Sequence, residues 1–175
     1  RVYDQNFSDT QAANLAADTD PGPGTSYIVL DTSGFGTALD LDIEEPANVA
    51  WVPGGGLTLA DDARIVSPDA ATKVHDALAA TDRLTVILDI TPQSGSQYFA
   101  NLFVLETGSV TNLDLMQNSD DYEMRLRTDG GDVSLSATGQ ADASRTHLAF
   151  TYDGETARCY VDATEIEIDE QLGDF

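Results

Sequence analysis

Cationic and cross-linking residues are scarce in this chain. Its 175 residues include one lysine, Lys73, seven arginines, two histidines, His75 and His147, one tryptophan, Trp51, and one cysteine, Cys159. A single cysteine excludes an intrachain disulfide framework. Cys159 alternates with Arg158 and Tyr160, which suits a small buried hydrophobe better than a nucleophile. No apolar run approaches the ~20 residues that span a bilayer, which argues against membrane insertion. Only two histidines, and no G-x-S-x-G elbow, H-E-x-x-H helix or phosphate-cradling glycine loop, leave hydrolase and nucleotide-binding chemistry without a signature.

Acidic residues fill the gap. There are 31 of them, 23 Asp and 8 Glu, and the net charge is −23. Such a surface repels nucleic acid phosphates and anionic headgroups, so neither is expected as a partner. Three explanations remain for it: solubility in a salty setting, where screening tames the repulsion; calcium, which takes several oxygen ligands from short Asp-rich loops; or a basic partner. The first residue is Arg1, which fits both a removed leader and a fragment of a longer protein.

The 41% apolar content excludes wholesale disorder, and the length fits one domain, residues 1–175. Short alternating runs recur about every ten residues: 26–32, 56–60, 63–67, 83–92, 98–107, 112–118, 122–129, 132–137, 146–153 and 156–163. Turn residues such as Gly34-Phe35-Gly36 and Asp153-Gly154 separate them. This pattern predicts an all-β, antiparallel two-sheet sandwich or jelly roll. In 122–129 the alternation turns Tyr122, Met124, Leu126 and Thr128 to one face. "LTVILDI" is apolar on both faces and reads as a central strand. One short helix is expected near 68–80, opened by Ser67-Pro68.

The segments "GGGLTLADDARIVSPDAA", "ATDRLTVILDITP", "YEMRLRTDGG" and "THLAFTYDGETARCYVDA" occur in that order. Together they resemble the laminin-G-like jelly roll domain of the concanavalin A-like lectin/glucanase superfamily. The most specific piece is the late hairpin, His147–Gly154 with Cys159–Asp162. A D-x-S-G-x-G turn stands at 31–36. Arg145 replaces a frequent tryptophan, and Ala163 replaces the glycine that usually follows Tyr-Val-Asp. The resemblance implies further closing strands after this hairpin, which the sequence lacks the length to supply.

Glucanases of the superfamily carry a Glu-x-Asp-x-x-Glu strand whose glutamates act as nucleophile and acid. Here Glu167-Ile168-Asp169 is followed by Leu172 where the second glutamate belongs. Glu165, Glu167 and Asp169 alternate with Ile166 and Ile168 as in an ordinary half-exposed strand, so no catalytic residue is assigned. The resemblance also implies one calcium ion in rim loops. Asp31, Asp40 and Asp42 are the candidate ligands, and Asp18-Thr19-Asp20 is a further acidic loop. Alternatively, Asp31 makes an Asx turn, its carboxylate accepting nearby N–H groups. For a stacking platform the candidates are Trp51 and Phe35, with Tyr98 and Phe99 weaker.

The expectation is a non-catalytic recognition module of a secreted or cell-surface protein, binding a glycan or an extracellular protein with calcium as cofactor. A structural or assembly subunit, completed by another chain, is the alternative, and a glycoside hydrolase a distant third.

Overall fold

A computed structural model describes residues 28–52, 55–60 and 62–170. They fall into two compact units, one ending at Asp76 and the other beginning at Ala77. The acidic pair Asp18 and Asp20 lies outside the described residues.

In the first unit, β1 (Ile28–Val29), β2 (Leu41–Ile43) and β5 (Ile65–Val66) form an antiparallel sheet in the order β1-β2-β5. Strands β3 (Val49–Trp51) and β4 (Leu57–Leu59) make a separate two-stranded ribbon, in which Trp51 pairs with Leu57. The helix α1 runs over Thr72–Thr81, starting later than Ser67-Pro68 suggested. The Ser67 hydroxyl donates to the Asp69 carbonyl instead, making 67–69 a turn. Strands β2 and β3 were not anticipated, being only three residues each.

The second unit is a sandwich of two antiparallel four-stranded sheets. One comprises β7 (Gln97–Thr107), β8 (Val110–Ser119), β9 (Asp121–Thr128) and β10 (Gly131–Ala137), in the order β10-β9-β8-β7. The other comprises β6 (Leu84–Ile90), β11 (Thr146–Tyr152), β12 (Thr156–Val161) and β13 (Thr164–Glu170), in the order β13-β12-β11-β6. Period-two patterning supplies the inner faces. Tyr122, Met124, Leu126 and Thr128 are all buried, as the alternation required. Leu115, Met124 and Leu135 stand side by side across the first sheet, and Val86, Phe150 and Cys159 across the second. Leu148, with no exposed surface, pairs with Val161 on one side and Leu88 on the other. "LTVILDI" is not a central strand among the described residues: β6 ends its sheet. Its outer face carries half-buried Thr85 and Ile87 and exposed Asp89, and Asp89 accepts Arg145 Nε at 2.8 Å.

The late hairpins explain their own motif. At the β11–β12 turn the Asp153 carboxylate accepts the Glu155 and Thr156 N–H groups at 3.2 and 2.9 Å, an Asx-type closure that fixes the register. At the β12–β13 turn Asp162 and Ala163 both take left-handed dihedrals, φ 48° and 65°. A right-handed strand pair needs this in a two-residue turn. Asp162 Oδ1 accepts the His147 N–H at 2.9 Å, and the Asp162 N–H returns to the His147 carbonyl at 2.9 Å. In the late-hairpin motif, then, the backbone of His147 and the carboxylates of Asp153 and Asp162 hold loop geometry.

Candidate functional site

Three places could carry function: the Asp31 turn, the bulged strand β7, and the carboxylate row of β13.

The Asp31 turn is an ammonium-locked loop. Asp31 Oδ1 accepts the Ser33 N–H at 2.9 Å and Oδ2 the Leu39 N–H at 2.8 Å. Lys73 pairs with Oδ2 and donates to Ser33 Oγ at 2.6 Å. Asp40 Oδ1 accepts the Asp31 N–H at 2.8 Å, so the fold brings Asp31 and Asp40 together. Asp42 sits in β2, opposite Ile28 and Val66. Both charged groups are largely covered, with 12% of the Asp31 side chain and 17% of that of Lys73 exposed. Burial by itself would raise the Asp31 pKa. The bonds from Lys73, Ser33 and Leu39 outweigh it and hold the carboxyl well below the usual range. The Asx turn is therefore present, and the chain's one lysine supplies the positive charge beside Asp31. Among the described residues no group of three or more His, Cys, Asp or Glu is arranged to hold a metal ion. Phe35 follows in the same turn, 65% exposed, with the Lys73 ammonium 6.0 Å from its ring centroid. Its exposure follows from Gly34 and Gly36, both at positive φ (67° and 61°), which turn the chain outward.

Strand β7 presents the most exposed aromatic surface among the described residues. Tyr98 is 77% exposed and Phe99 60%. Neighbours in a regular strand point to opposite faces, so one ring would be expected against the core. A bulge prevents this: Gln97 pairs with Ser119, and the next paired residue is Ala100, opposite Gln117. Phe99 sits at φ 49° inside it, a conformation that costs a non-glycine residue about 1–2 kcal/mol. Its flanks are pinned. The amide of Gln117, 2% exposed, donates to the carbonyls of Ser94 and Ser119, both at 3.0 Å. Gly95 presses so closely on the 138–145 loop that a Cβ there would lie 2.7 Å from the Ala141 carbonyl oxygen. Strain within a fixed frame, placing two apolar rings in solvent, is a recurrent mark of a binding surface. From the sequence these rings ranked below Trp51, the one tryptophan. The missed signal was Gly95 with Ser94 and Ser96, a close-approach turn just ahead of adjacent aromatics. Trp51 is half-buried on β3.

On β13, Glu167 lies opposite Cys159, on the inner side of the sheet, and its carboxylate accepts the Ser136 N–H of β10. The terminal strands of the two sheets are thus bridged by one side chain, and Glu167 is committed to a backbone donor. Glu165 pairs with Arg158 at 3.6 Å. Ile166 and Ile168 are about two-fifths exposed, at 39% and 42%.

No curated protein matches the chain. A laminin-G-type family model, described as the concanavalin A-like lectin/glucanases superfamily, matches residues 66–174. That span takes in α1, the whole sandwich, the β7 bulge and both late hairpins, and with it more than half of the chain. The two stacked sheets, the strand order and the match agree: the chain belongs to the concanavalin A-like lectin/glucanases superfamily.

Proposed function

We propose that the chain is a non-catalytic recognition module of a secreted or cell-surface protein that binds glycan through Tyr98 and Phe99. The observation that carries this is the bulge of β7, which turns two consecutive rings into solvent. Laminin-G-like domains are typically extracellular and non-catalytic, and the superfamily commonly binds glycans or proteins. No described helix is long and apolar enough to cross a membrane. An aromatic pair offers the apolar face of a pyranose a flat surface. Covering about 200 Å² of it releases about 5 kcal/mol before association costs, so the Kd per sugar unit is on the order of millimolar or weaker. Calcium enters this reading as a competitor of Lys73, since a cation at Asp31 has to displace the ammonium.

The test is glycan-array screening followed by calorimetry. Tyr98→Ala with Phe99→Ala abolishes binding, whereas Trp51→Ala and addition of a chelator leave it unchanged. Binding that survives the double substitution refutes the assignment. Calorimetric calcium titration of Lys73→Met against the parent chain reports the competition directly. Glycosidase activity lost on Glu167→Gln would replace the non-catalytic reading with an enzymatic one.

The exposed isoleucines of β13 favour a second reading, an assembly subunit joined through this strand. Ile166→Lys with Ile168→Lys would then convert a dimer or filament to monomer in light scattering.

A further inference from the structure

The register of the β7 bulge fixes which polar group stands beside the rings. Gln97 pairs with Ser119 and Ala100 with Gln117, so Tyr98 and Phe99 together face the one β8 residue left between those pairs, Asn118. Opposed residues on one face of a sheet hold their Cβ atoms about 5 Å apart. Gln117 is 2% exposed and pairs with Tyr122, which has no exposed surface, so it points inward. Asn118 therefore lies on the outer face, where its Nδ2 donates to Glu123 Oε1 at 2.8 Å. Glu123 is itself held: its Oε2 accepts Arg125 Nη2 at 3.2 Å, and only 17% of its side chain is exposed. Asp121, the β9 residue opposite Asn118, is engaged elsewhere, its Oδ1 accepting the Gly139 N–H at 2.8 Å. A carboxylate only accepts, so Glu123 takes the NH₂ side of the Asn118 amide and turns its oxygen the other way. Strand β8 lies between β9 and β7. An amide whose NH₂ is drawn towards Glu123 on β9 thus presents its oxygen on the β7 side, where the rings are. That Oδ1 receives no hydrogen bond from the described residues.

We propose that Asn118 selects the sugar held by Tyr98 and Phe99, its Oδ1 accepting a hydroxyl from the edge of a neutral pyranose, an inference that rests on the glycan reading above. Glu123 is a positioning residue, and Arg125 keeps it in place. Stacking on the rings is indifferent to which edge group the sugar carries. The amide oxygen is not, because it only accepts: the group it recognises is a donor. A carboxylate or sulfate oxygen at that point meets lone pairs, and an ether in place of the hydroxyl forfeits the bond. The rings supply affinity and Asn118 supplies discrimination.

The experiment uses the methyl glycosides of glucose, galactose and N-acetylglucosamine with their mono-O-methyl derivatives, whose ether oxygens accept but cannot donate. Affinities are read on the full chain by NMR titration, and circular dichroism checks that each variant is folded. For a glycoside that binds, one O-methyl derivative should bind about fivefold more weakly, the contribution of one neutral hydrogen bond. Asn118→Ala should weaken the unmethylated glycoside by about the same factor and abolish the handicap of that derivative. Glu123→Gln should reverse the amide. With Arg125 on the glutamine oxygen, the glutamine NH₂ meets Asn118, which turns over and offers Nδ2 to the ligand. The handicap should then fall below about twofold, whereas a steric handicap would persist. Tyr98→Ala with Phe99→Ala should remove binding altogether. No handicap for any derivative, or one that is the same in the parent chain, Asn118→Ala and Glu123→Gln, overturns the role of Asn118 and leaves the glycan reading intact. Glycosides that bind equally well without the rings, or none that binds at all, overturn the glycan reading itself.

Discussion

Replacing Asp31 by asparagine perturbs the ammonium lock with little change in shape. Asparagine keeps an oxygen for the Ser33 N–H but puts an NH₂ group where Oδ2 accepted both Leu39 N–H and the Lys73 ammonium. Two donors then face a donor, and an ammonium that is only 17% exposed loses its counter-charge. A hydrogen bond to a charged group contributes about 1.5–3 kcal/mol and a neutral one about 1 kcal/mol. Discounting for the remaining solvent access, the loss is about 2–3 kcal/mol. At one decade per 1.4 kcal/mol, the loop should open roughly 30- to 150-fold more often. Lys73, as the chain's one lysine, makes this directly readable. Acylation by an amine-reactive ester, followed by peptide mass mapping to separate the α-amine, reports its accessibility alone. Labelling should be slow in the parent chain and at least tenfold faster in Asp31→Asn. Parent labelling at the rate of a free lysine peptide, or a change below threefold, would refute the lock. There is also a pH signature. The Asp31 pKa is lower in the folded chain than its ordinary 3.8, so its contribution is complete above that value and lost as pH falls further. The melting-temperature advantage of the parent over Asp31→Asn should therefore be flat from pH 5 to 8 and vanish on acidification.

Three other outcomes follow from the geometry. Ala163→Gly should stabilise the chain by about 1 kcal/mol, raising Tm by about 2–4 °C in calorimetry, because Ala163 holds φ 65° in the β12–β13 turn. Phe99→Gly should relieve similar strain at φ 49° while weakening sugar binding, so stability and affinity move in opposite directions. Cys159 has no exposed surface, and its burial, with the Glu167 charge added, pushes the thiol up to about 12. It should therefore resist a disulfide reagent at pH 8 until denaturant unfolds the sandwich.

The sandwich was legible because its strands are long and strictly alternating. In β9, Tyr122, Met124, Leu126 and Thr128 announce an inner face, and all four are buried. The late hairpins were legible through Asp153 and Asp162, whose short carboxylates are suited to capping turns. Strands β2 and β3 were not, because three residues carry too little periodicity to stand out. The two-sided apolarity of β6 misled for a different reason. Thr85 and Ile87 on its outer face are half-buried although the strand ends its sheet among the described residues, and hydrophobicity alone does not report strand order. Of the candidate site, the Asx role of Asp31 was readable from its turn. Lys73, 42 positions away, was not, since pairing over that distance is decided by the fold. The prominence of Tyr98 and Phe99 stayed hidden because alternation assumes an unbroken ladder, and the bulge breaks it.

The Glu167 carboxylate on the Ser136 amide has a consequence for how copies of this protein meet. An uncapped outer strand invites a neighbour's backbone and, repeated, a growing ribbon. Here a full negative charge already sits where such a neighbour would have to donate or dock. Any second molecule approaching that seam brings its own acidic surface with it. Lateral growth along β10 at Ser136 is thus opposed twice, by an amide already satisfied and by repulsion between like charges.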